Sequence, residues 1–356
     1  MKTKLTLQDI ALQTSVSLST VSRVFRGAVG VSPEMCARVR KGAADLGLDL
    51  NESRASKRVR TLAFVLSNRD MLHAFHSRIL VGAECHSAAR GWEMLYIGFR
   101  YGANVPWKEL HLPPVLQRRD VVRSLILAGT NSQNLLDLLT ERRINFVVLG
   151  NNVLNRSTGA AYDAVFSDDI QGTFDMAHYL HSLGHRSIWF VGNTRFPWAA
   201  RCYEGYSRAM DELRLRPRLS SFDSEDDTEV GYLATKSCLS RGEQVTAILA
   251  ATDVTAQGIY KALREGGIRV PEDVSVVGCN DTVGALLHPP LTTIREFPEQ
   301  LGKLMVEFAL NRIADPDLQP QQVSIPTELV KRESCGPFLS TPGVSETRHS
   351  QAFQSA

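Results

Sequence analysis

The sequence predicts a small all-α headpiece of three helices, followed by a two-lobed α/β domain built of doubly wound parallel sheets. Three short segments within the first 50 residues show the spacing of apolar residues that is typical of helices, each after a helix start signal. From residue 61 onward, short apolar runs alternate with amphipathic stretches, which indicates a parallel sheet covered by helices on both faces. After a headpiece of about 60 residues, about 280 ordered residues remain, enough for two lobes of ordinary size.

The second helical segment lies in VSLSTVSRVFRG, residues 16–27. As a strand it would have no apolar face, because alternation mixes hydroxyl and apolar side chains on both sides. As a helix it brings Val21, Val24 and Phe25 to one side. Ser17 would then be its N-cap.

The flanking segments complete the headpiece. The first begins at the capping-box-like stretch Thr6-Leu-Gln-Asp9 and closes near Thr14, so that only a tight turn separates it from the second. The third begins at Ser32-Pro33-Glu34, with proline at the first helical position, and ends near Gly47. Three short helices of which the first two are joined by a tight turn are typical of the helix-turn-helix motif.

This motif predicts contact with double-stranded DNA. Its second helix enters the major groove, where short hydroxyl side chains and an arginine can reach base edges. Residues 1–60 hold 11 Lys and Arg against 5 Asp and Glu, a net charge of +6, whereas the whole chain carries +2. The alternative is a solvated helix in an unrelated small bundle. The predicted DNA contacts of the headpiece are Thr6, Ser17, Leu18, Ser19, Thr20, Ser22, Arg23 and Arg26.

The headpiece carries four groups of residues at fixed spacing: Thr6-Leu-Gln-Asp-Ile-Ala11, Val16-Ser17, Thr20-Val-Ser-Arg-Val24 and Val31-Ser32. Together they resemble the amino-terminal signature of the lactose/galactose repressor (LacI/GalR) family of bacterial transcription regulators. Two positions depart from the family. Its usual Ala-Gly at the turn between the first two helices is Thr14-Ser15 here, and its usual Asn after the second helix is Arg26.

The resemblance also assigns a role to the linker, residues 51–60, which reads NESRASKRVR. In the family, the asparagine matching Asn51 precedes an Ala-Arg-x-Leu helix whose leucine wedges into the minor groove; the matching residues here run from Arg54 to Lys57. Because a lysine stays with the phosphates, we expect less bending of the operator and a steeper salt dependence than in relatives. Asn51, Arg54 and Lys57 complete the predicted DNA contacts. The open alternative is a shifted register with Val59 as the wedge.

Composition and motifs exclude several protein classes. A hydrophobic content of 43% and a charged content of 22% are those of a soluble globular protein. We find neither a signal peptide nor an apolar run long enough for a transmembrane helix, so we expect no contact with membranes. The 6 cysteines are scattered without a CxxC motif, which indicates reduced thiols in a cytoplasm and no metal site.

Eight apolar runs after residue 60 are candidate buried strands. They are residues 62–66, 93–98, 124–129, 146–151, 164–168, 187–192, 247–251 and 274–279.

The resemblance continues from residue 5 to about 336, most specifically in VPEDVSVVGCND (270–281) and HPPLTTI (288–294). It implies a fold like the periplasmic binding proteins, with two lobes, three crossover segments and an effector in the cleft. The headpiece would span 1–50, the linker 51–60 and the effector-binding and dimerisation domain 61–336. The first lobe would comprise 61–165 and 295–321, and the second 166–294 and 322–336, closed by strands at 322–325 and 328–331. We expect residues 337–356 to form a disordered tail.

Ligands of open α/β sheets bind at the carboxyl ends of strands, so polar residues directly after the strands are candidate effector contacts. Asn151, Asp253 and Asn280 fit this rule, and their amide and carboxylate groups suit the hydroxyls of a sugar. The alternative is that each caps the next helix. For Asp253 both interpretations stay open, whereas the resemblance favours ligand contact for Asn280, since the family's sugar-contacting acid falls there.

The family usually places an arginine three residues before the glycine that here is Gly205, where it holds sugar hydroxyls or a carboxylate. This chain has Cys202 there and Arg201 beside it, so either the helix start is shifted or the effector is unusual. Trp198 either stacks on a sugar face or covers the core beneath its loop. The remaining predicted effector contacts are Phe75 and His76, after the first strand.

These features predict a cytoplasmic transcription regulator, a repressor, that binds a pseudo-palindromic operator as a homodimer under control of a carbohydrate effector. Dimerisation is expected because one three-helix unit reads only a few base pairs. We expect neither enzymatic activity nor a cofactor, since no GxSxG, HExxH, P-loop or GxGxxG motif occurs. The alternatives are a sugar-binding protein without DNA function, which would need a signal peptide and no headpiece, and a hydrolase or kinase on a doubly wound fold.

Overall fold

The computed structural model describes residues 7–26, 31–46, 60–156, 162–242 and 244–338. The chain divides into two compact units, residues 1–59 and 60–356. Several predicted DNA contacts lie outside the described residues, namely Thr6, Asn51, Arg54, Lys57 and the side chain of Arg26. The tail from residue 339 onward lies outside them as well.

The headpiece consists of the three predicted helices, α1 (Leu7–Thr14), α2 (Leu18–Arg26) and α3 (Pro33–Asp45). Their shared core is small and apolar; it contains Ile10, Val21, Val24, Val39 and Ala43. The Oγ of Ser32 accepts a hydrogen bond from the amide of Met35 at 3.2 Å, which confirms the predicted start of α3.

Thr14 and Ser15 form the tight turn between α1 and α2. Thr14 is buried, and its Oγ1 donates a hydrogen bond to the Ile10 carbonyl at 2.6 Å. A Cβ atom on Gly42 of α3 would lie 2.1 Å from the methyl carbon of Thr14, so a glycine at this position lets α3 approach the turn. Ser15 has a φ of 53°, in the left-handed region that favours glycine.

The second unit alternates strands and helices. The strands are β1 (Thr61–Ser67), β2 (Glu93–Phe99), β3 (Ser124–Gly129), β4 (Asn131–Ser132), β5 (Phe146–Leu149), β6 (Val153–Leu154), β7 (Asp163–Ser167), β8 (Ile188–Val191), β9 (Leu219–Ser220), β10 (Ala247–Ala250), β11 (Ser275–Asn280), β12 (Thr292–Arg295), β13 (Gln322–Ile325) and β14 (Glu328–Val330). The helices are α4 (Ala74–Ala89), α5 (Gln133–Glu141), α6 (Asp169–Ser182), α7 (Pro197–Glu212), α8 (Asp227–Ser240), α9 (Asp253–Glu265) and α10 (Pro298–Ala314). All eight predicted strands are present.

Two six-stranded sheets organise this unit. The first has the order β13-β7-β5-β3-β1-β2 and is parallel throughout. The second has the order β14-β12-β11-β10-β8-β9 and is parallel except for β14. Along β1, Val65 packs into the core on one face, while Phe64 and Leu66 pack into the core on the other. Burial of both faces explains why the central strands read as unbroken apolar runs.

The chain passes between the two sheets three times, after β7, after β12 and after β13. The second passage brings α10 back onto the first sheet beside α4. There the two helix backbones lie so close that a Cβ atom on Gly302 would be 2.1 Å from the Ile79 carbonyl oxygen.

The prediction that residues 322–325 close the second lobe is wrong. β13 pairs with β7 in the first sheet, where Val323 lies opposite Val165, and only β14 joins the second sheet, antiparallel to β12. β13 is an edge strand, and even its Val323 is 40% exposed. It therefore lacks the apolar run that would have identified its sheet.

Other features of the described residues bear on chemistry. None of their helices combines the length and the apolar composition needed to span a membrane. The six cysteines are free thiols. Within the same ranges, no group of three or more His, Cys, Asp or Glu side chains is placed to hold a metal ion.

Candidate functional site

The second helix of the headpiece, α2, separates its apolar and polar side chains. Val21 and Val24 are buried in the headpiece core. Leu18 is 47% exposed, and Ser19 and Arg23 are exposed as well. In helix-turn-helix units this amino-terminal part of the second helix meets the base edges. The exposed face of α2 therefore has the composition that reading a major groove requires.

The start of α2 is organised by the Ser17 hydroxyl. Its Oγ accepts a hydrogen bond from the amide of Thr20 at 3.2 Å, which confirms Ser17 as the N-cap. The same oxygen lies 2.9 Å from the Ser19 Oγ and 2.8 Å from the Thr20 Oγ1. Ser22, one turn after Leu18, is half-buried. The hydroxyls can donate to or accept from bases and phosphates.

A cavity lies between the carboxyl ends of the strands of the two sheets, with about 450 Å³ of empty space counting its open mouth. Five of the predicted effector contacts line it: Phe75, His76, Asn151, Trp198 and Asn280. The lining also includes polar residues that sequence reasoning missed: Arg69, His73, Asp169, Asp227 and Glu296. Most of the missed residues also follow a strand, so the strand-end rule contained the signal that would have found them.

Arg69 extends across this cavity from the end of β1. Its guanidinium carbon lies 4.2 Å from the centre of the Trp198 ring, and its Nε donates to Thr130 Oγ1 at 3.2 Å. Burial lowers the pKa of Arg69, and the negative charge of nearby Asp227 opposes this shift. Arg69 stays charged all the same, because arginine is not deprotonated in proteins. Trp198 also stacks on Phe196, with ring centres 4.7 Å apart. The Trp198 ring is thus part of the cavity wall, and the Arg69 guanidinium lies over it.

Asp169 links two of the predicted residues. Asn151 Nδ2 donates to Asp169 Oδ2 at 2.8 Å, and Arg201 Nη2 pairs with Asp169 Oδ1 at 2.6 Å. Burial raises the pKa of Asp169, and Arg201 opposes the shift. Arg201 itself does not line the cavity, because the turn of α7 places Cys202 on that side. Arg201 therefore affects the cavity only indirectly, through its ion pair with Asp169, which lines the cavity.

The prediction that Asp253 contacts the effector is wrong. This side chain is fully buried, and its Oδ2 accepts the amides of residues 282, 283 and 284 at 2.8, 3.3 and 3.0 Å. Its Oδ1 accepts the Thr293 hydroxyl at 2.6 Å. The helix cap is also a different residue, since the Thr252 Oγ1 accepts the amide of Thr255 at 3.0 Å. Asp253 therefore clamps the loop that follows β11.

Asn280 ends β11 with a φ of 88° and lines the cavity. Its Oδ1 accepts a hydrogen bond from the Thr282 Oγ1 at 2.8 Å. In the part of the chain that the structure describes, its Nδ2 has no hydrogen-bond partner. The amide nitrogen is therefore available to a ligand hydroxyl.

Three titratable groups of the cavity are uncharged near neutral pH. Burial lowers the pKa of His73 to about 4 and holds the pKa of His76 well below 6.5. Burial raises the pKa of Glu296 to about 8, and Ser167 donates a hydrogen bond to this carboxyl group. Because the His76 Nδ1 accepts the Gly129 amide at 3.4 Å, its proton sits on Nε2. Beside the charged Arg69, the cavity thus offers several neutral donors and acceptors, which suit the hydroxyls of a sugar.

Comparison with known families identifies both parts of the chain. Residues 6–48 match the family described as "Bacterial regulatory proteins, lacI family". Residues 177–335 match the periplasmic binding protein-like domain.

Individual relatives and solved structures match this chain over most of its length. The HTH-type transcriptional repressor PurR of Haemophilus influenzae (strain PittEE) is 28% identical over 347 residues, covering 94% of this chain and 99% of PurR. The complex of the transcriptional regulator CelR with cellobiose has a TM-score of 0.69 at 26% identity, covering 93% of this chain and all of the other. The Lac repressor dimer bound to operator and the anti-inducer ONPF has a TM-score of 0.67 at 25% identity, covering 94% of this chain and all of that one.

Proposed function

The chain belongs to the lacI family of bacterial regulatory proteins, and on this premise we propose that it is a transcriptional repressor whose operator affinity is controlled by a sugar bound in the cleft. The observation that carries the proposal is the combination, in one chain, of the exposed α2 face and the cavity with neutral polar groups. Among the similar proteins, PurR is named a repressor and CelR is bound to cellobiose. The proposal includes that the protein acts in the cytoplasm and is not an enzyme.

On the DNA side, Ser17, Leu18, Ser19 and Arg23 contact the operator, with Arg23 directed at base edges or phosphates. The protein binds as a homodimer to a pseudo-palindromic site; the similar structure of the Lac repressor contains a dimer bound to operator. Two three-helix units related by a two-fold axis read twice as many base pairs as one unit does alone.

On the effector side, we assign Asn280 and Trp198 as direct contacts, with His73, His76 and Glu296 completing the set. The indole packs on the apolar face of a sugar once Arg69 moves aside, and the neutral groups exchange hydrogen bonds with its hydroxyls. Asn151 supports the site from behind, since its amide is already bonded to Ser167 and Asp169.

The DNA assignment is tested by selecting operators from a random duplex pool and measuring affinity by fluorescence anisotropy. We expect two inverted half-sites. Arg23→Ala should lose about 1–3 kcal/mol of discrimination between the operator and random DNA. Arg38→Ala is the matched control, because Arg38 is an exposed arginine of α3 and its loss removes the same charge. An Arg23→Ala protein that discriminates as the parent does would disprove the assignment.

The effector assignment is tested by thermal-shift screening against a sugar library. A ligand present at 100 times its Kd adds about 2.7 kcal/mol of stability. Asn280→Ala and Trp198→Ala should each weaken the best sugar by about 1–3 kcal/mol, measured by calorimetry. Asn311→Ala, at an exposed position of α10, should leave sugar binding unchanged. Unchanged binding in both cleft variants would move the site elsewhere.

A further inference from the structure

A second cavity, with about 1510 Å³ of empty space counting its open mouth, lies at the end of the first sheet that is opposite to the cleft. It is bordered by the first residues of three strands, Ser124 of β3, Phe146 of β5 and Asp163 of β7. The cleft cavity lies at the carboxyl ends of the strands instead, and the two share no lining residue. The proposed sugar site therefore does not account for this second cavity.

The second cavity is basic. Four arginines line it, Arg119, Arg123, Arg143 and Arg312, against two acids, Asp163 and Asp317. One pair is satisfied internally, because the Arg312 Nε and Nη2 each lie 3.0 Å from a carboxylate oxygen of Asp163. The remaining side chains carry three positive charges and one negative charge.

Two of these arginines, Arg123 and Arg143, are exposed and form no ion pair within the described ranges. Their backbones are held in place all the same. The Arg123 amide donates to the Thr61 carbonyl at 2.9 Å. The Arg119 Nη2 donates to the carbonyls of Arg142 and Arg143 at 3.1 and 2.8 Å, which fixes the end of α5. Two guanidinium groups are thus presented at the cavity rim without a counter-charge.

Arg143 also occupies an unusual backbone position. Its φ is 53°, at the position that follows the C-cap of α5. Glycine adopts this left-handed conformation with less strain than any other residue. The local backbone does not require an arginine side chain at this position.

We propose that this cavity binds a small molecule that carries a phosphate group. The planar guanidinium fork matches phosphate oxygens better than any other side chain, and two such forks stand at the rim. Leu125, Phe146 and Tyr162 provide an apolar floor for the remainder of the molecule. DNA is the other source of phosphate, but a duplex would reach only the exposed rim and would leave the apolar floor empty, so the small molecule is the better match.

The test uses the full chain and pyrophosphate as the probe, titrated by calorimetry at an ionic strength of about 0.15 M, which screens weak contacts of exposed cations. We expect one binding event per chain, weakened at least roughly tenfold in the double variant R123Q/R143Q because two charge-assisted contacts are lost. The matched control is R100Q/R216Q, which removes two exposed arginines outside the cavity. It should bind pyrophosphate as the parent does.

A second variant separates binding from folding. R143G removes the guanidinium but relieves the backbone, so we expect thermal stability equal to or above that of the parent together with weakened pyrophosphate binding. Three results would overturn the proposal: no binding by the parent, equal weakening in R100Q/R216Q, or a loss in R123Q/R143Q confined to DNA affinity. Trp198→Ala should leave pyrophosphate binding unchanged, so failure of the sugar site and failure of this one are distinguishable.

Discussion

Ser15, in the turn that joins α1 to α2, adopts a backbone conformation that is unfavourable for any residue other than glycine. Its left-handed φ of 53° places its Cβ close to backbone atoms, a cost that glycine avoids. We predict that Ser15→Gly stabilises the headpiece by about 0.5–1 kcal/mol, less than the full strain because glycine also loses more backbone entropy on folding. Thermal unfolding followed by circular dichroism measures it. Ser19→Gly, within α2, should destabilise, and a destabilised Ser15→Gly protein would contradict the argument.

The raised pKa of Glu296 predicts that the stability of the folded protein depends on pH. Its pKa rises from 4.5 to about 8 on folding because the carboxyl group is buried. Across that window the unfolded chain has released the proton while the folded chain keeps it, so the contribution of Glu296 falls as pH rises and is lost above pH 8. Glu296→Gln removes this dependence. Its stability relative to the parent should therefore rise by about 2–4 kcal/mol between pH 5 and pH 8.

The measurement is thermal unfolding of both proteins at several pH values in that range. A difference between parent and Glu296→Gln that does not change with pH would show that Glu296 is ionised in the folded protein.

Residue types after strands could be predicted from the sequence, but the direction of each side chain could not. Asp253 and Asn280 both follow a strand and were both candidate contacts, and folding made one a buried clamp and the other part of the cavity wall. The difference depends on loop 282–284, whose amides surround the Asp253 carboxylate. No local pattern encodes such a contact between distant segments.

At the scale of elements, the Asp253 clamp joins α9 to the loop after β11. We predict that Asp253→Ala destabilises the protein by about 2–4 kcal/mol, since three amides, one of them fully buried, and a buried hydroxyl lose their acceptor. Asn280→Ala is the matched control, with a smaller loss of stability and a larger loss of sugar affinity. The melting temperature measures the first effect and calorimetry the second. An Asp253→Ala protein that melts with the parent would refute the clamp.

The eight predicted strands could be read from the sequence because their apolar runs are continuous. The buried strand β12 was missed, because it contains two threonines and an arginine around a single isoleucine. β13 was placed in the wrong sheet because it is a short, exposed edge strand, and only two residues separate it from β14. The small strands β4, β6 and β9 were missed for a similar reason, since two residues cannot show a period. Register and sheet membership at edges are set by tertiary pairing.

For the molecule as a whole, effector-controlled repression requires that ligand binding in the cleft and operator binding by the headpiece be coupled. Coupling means that a sugar changes operator affinity and that the operator changes sugar affinity by the same factor. Arg69 is suited to take part, because it extends from the first sheet to Trp198 beside the second, and the proposed sugar site requires it to leave the indole.

The measurement that tests this claim most directly is the operator Kd with and without a saturating amount of the sugar found by thermal shift. We predict that the sugar changes the operator Kd of the parent roughly 5–150-fold, in either direction. In Trp198→Ala the same change should require a higher sugar concentration. A sugar that occupies the cleft, as calorimetry shows, and leaves the operator Kd unchanged would contradict the account.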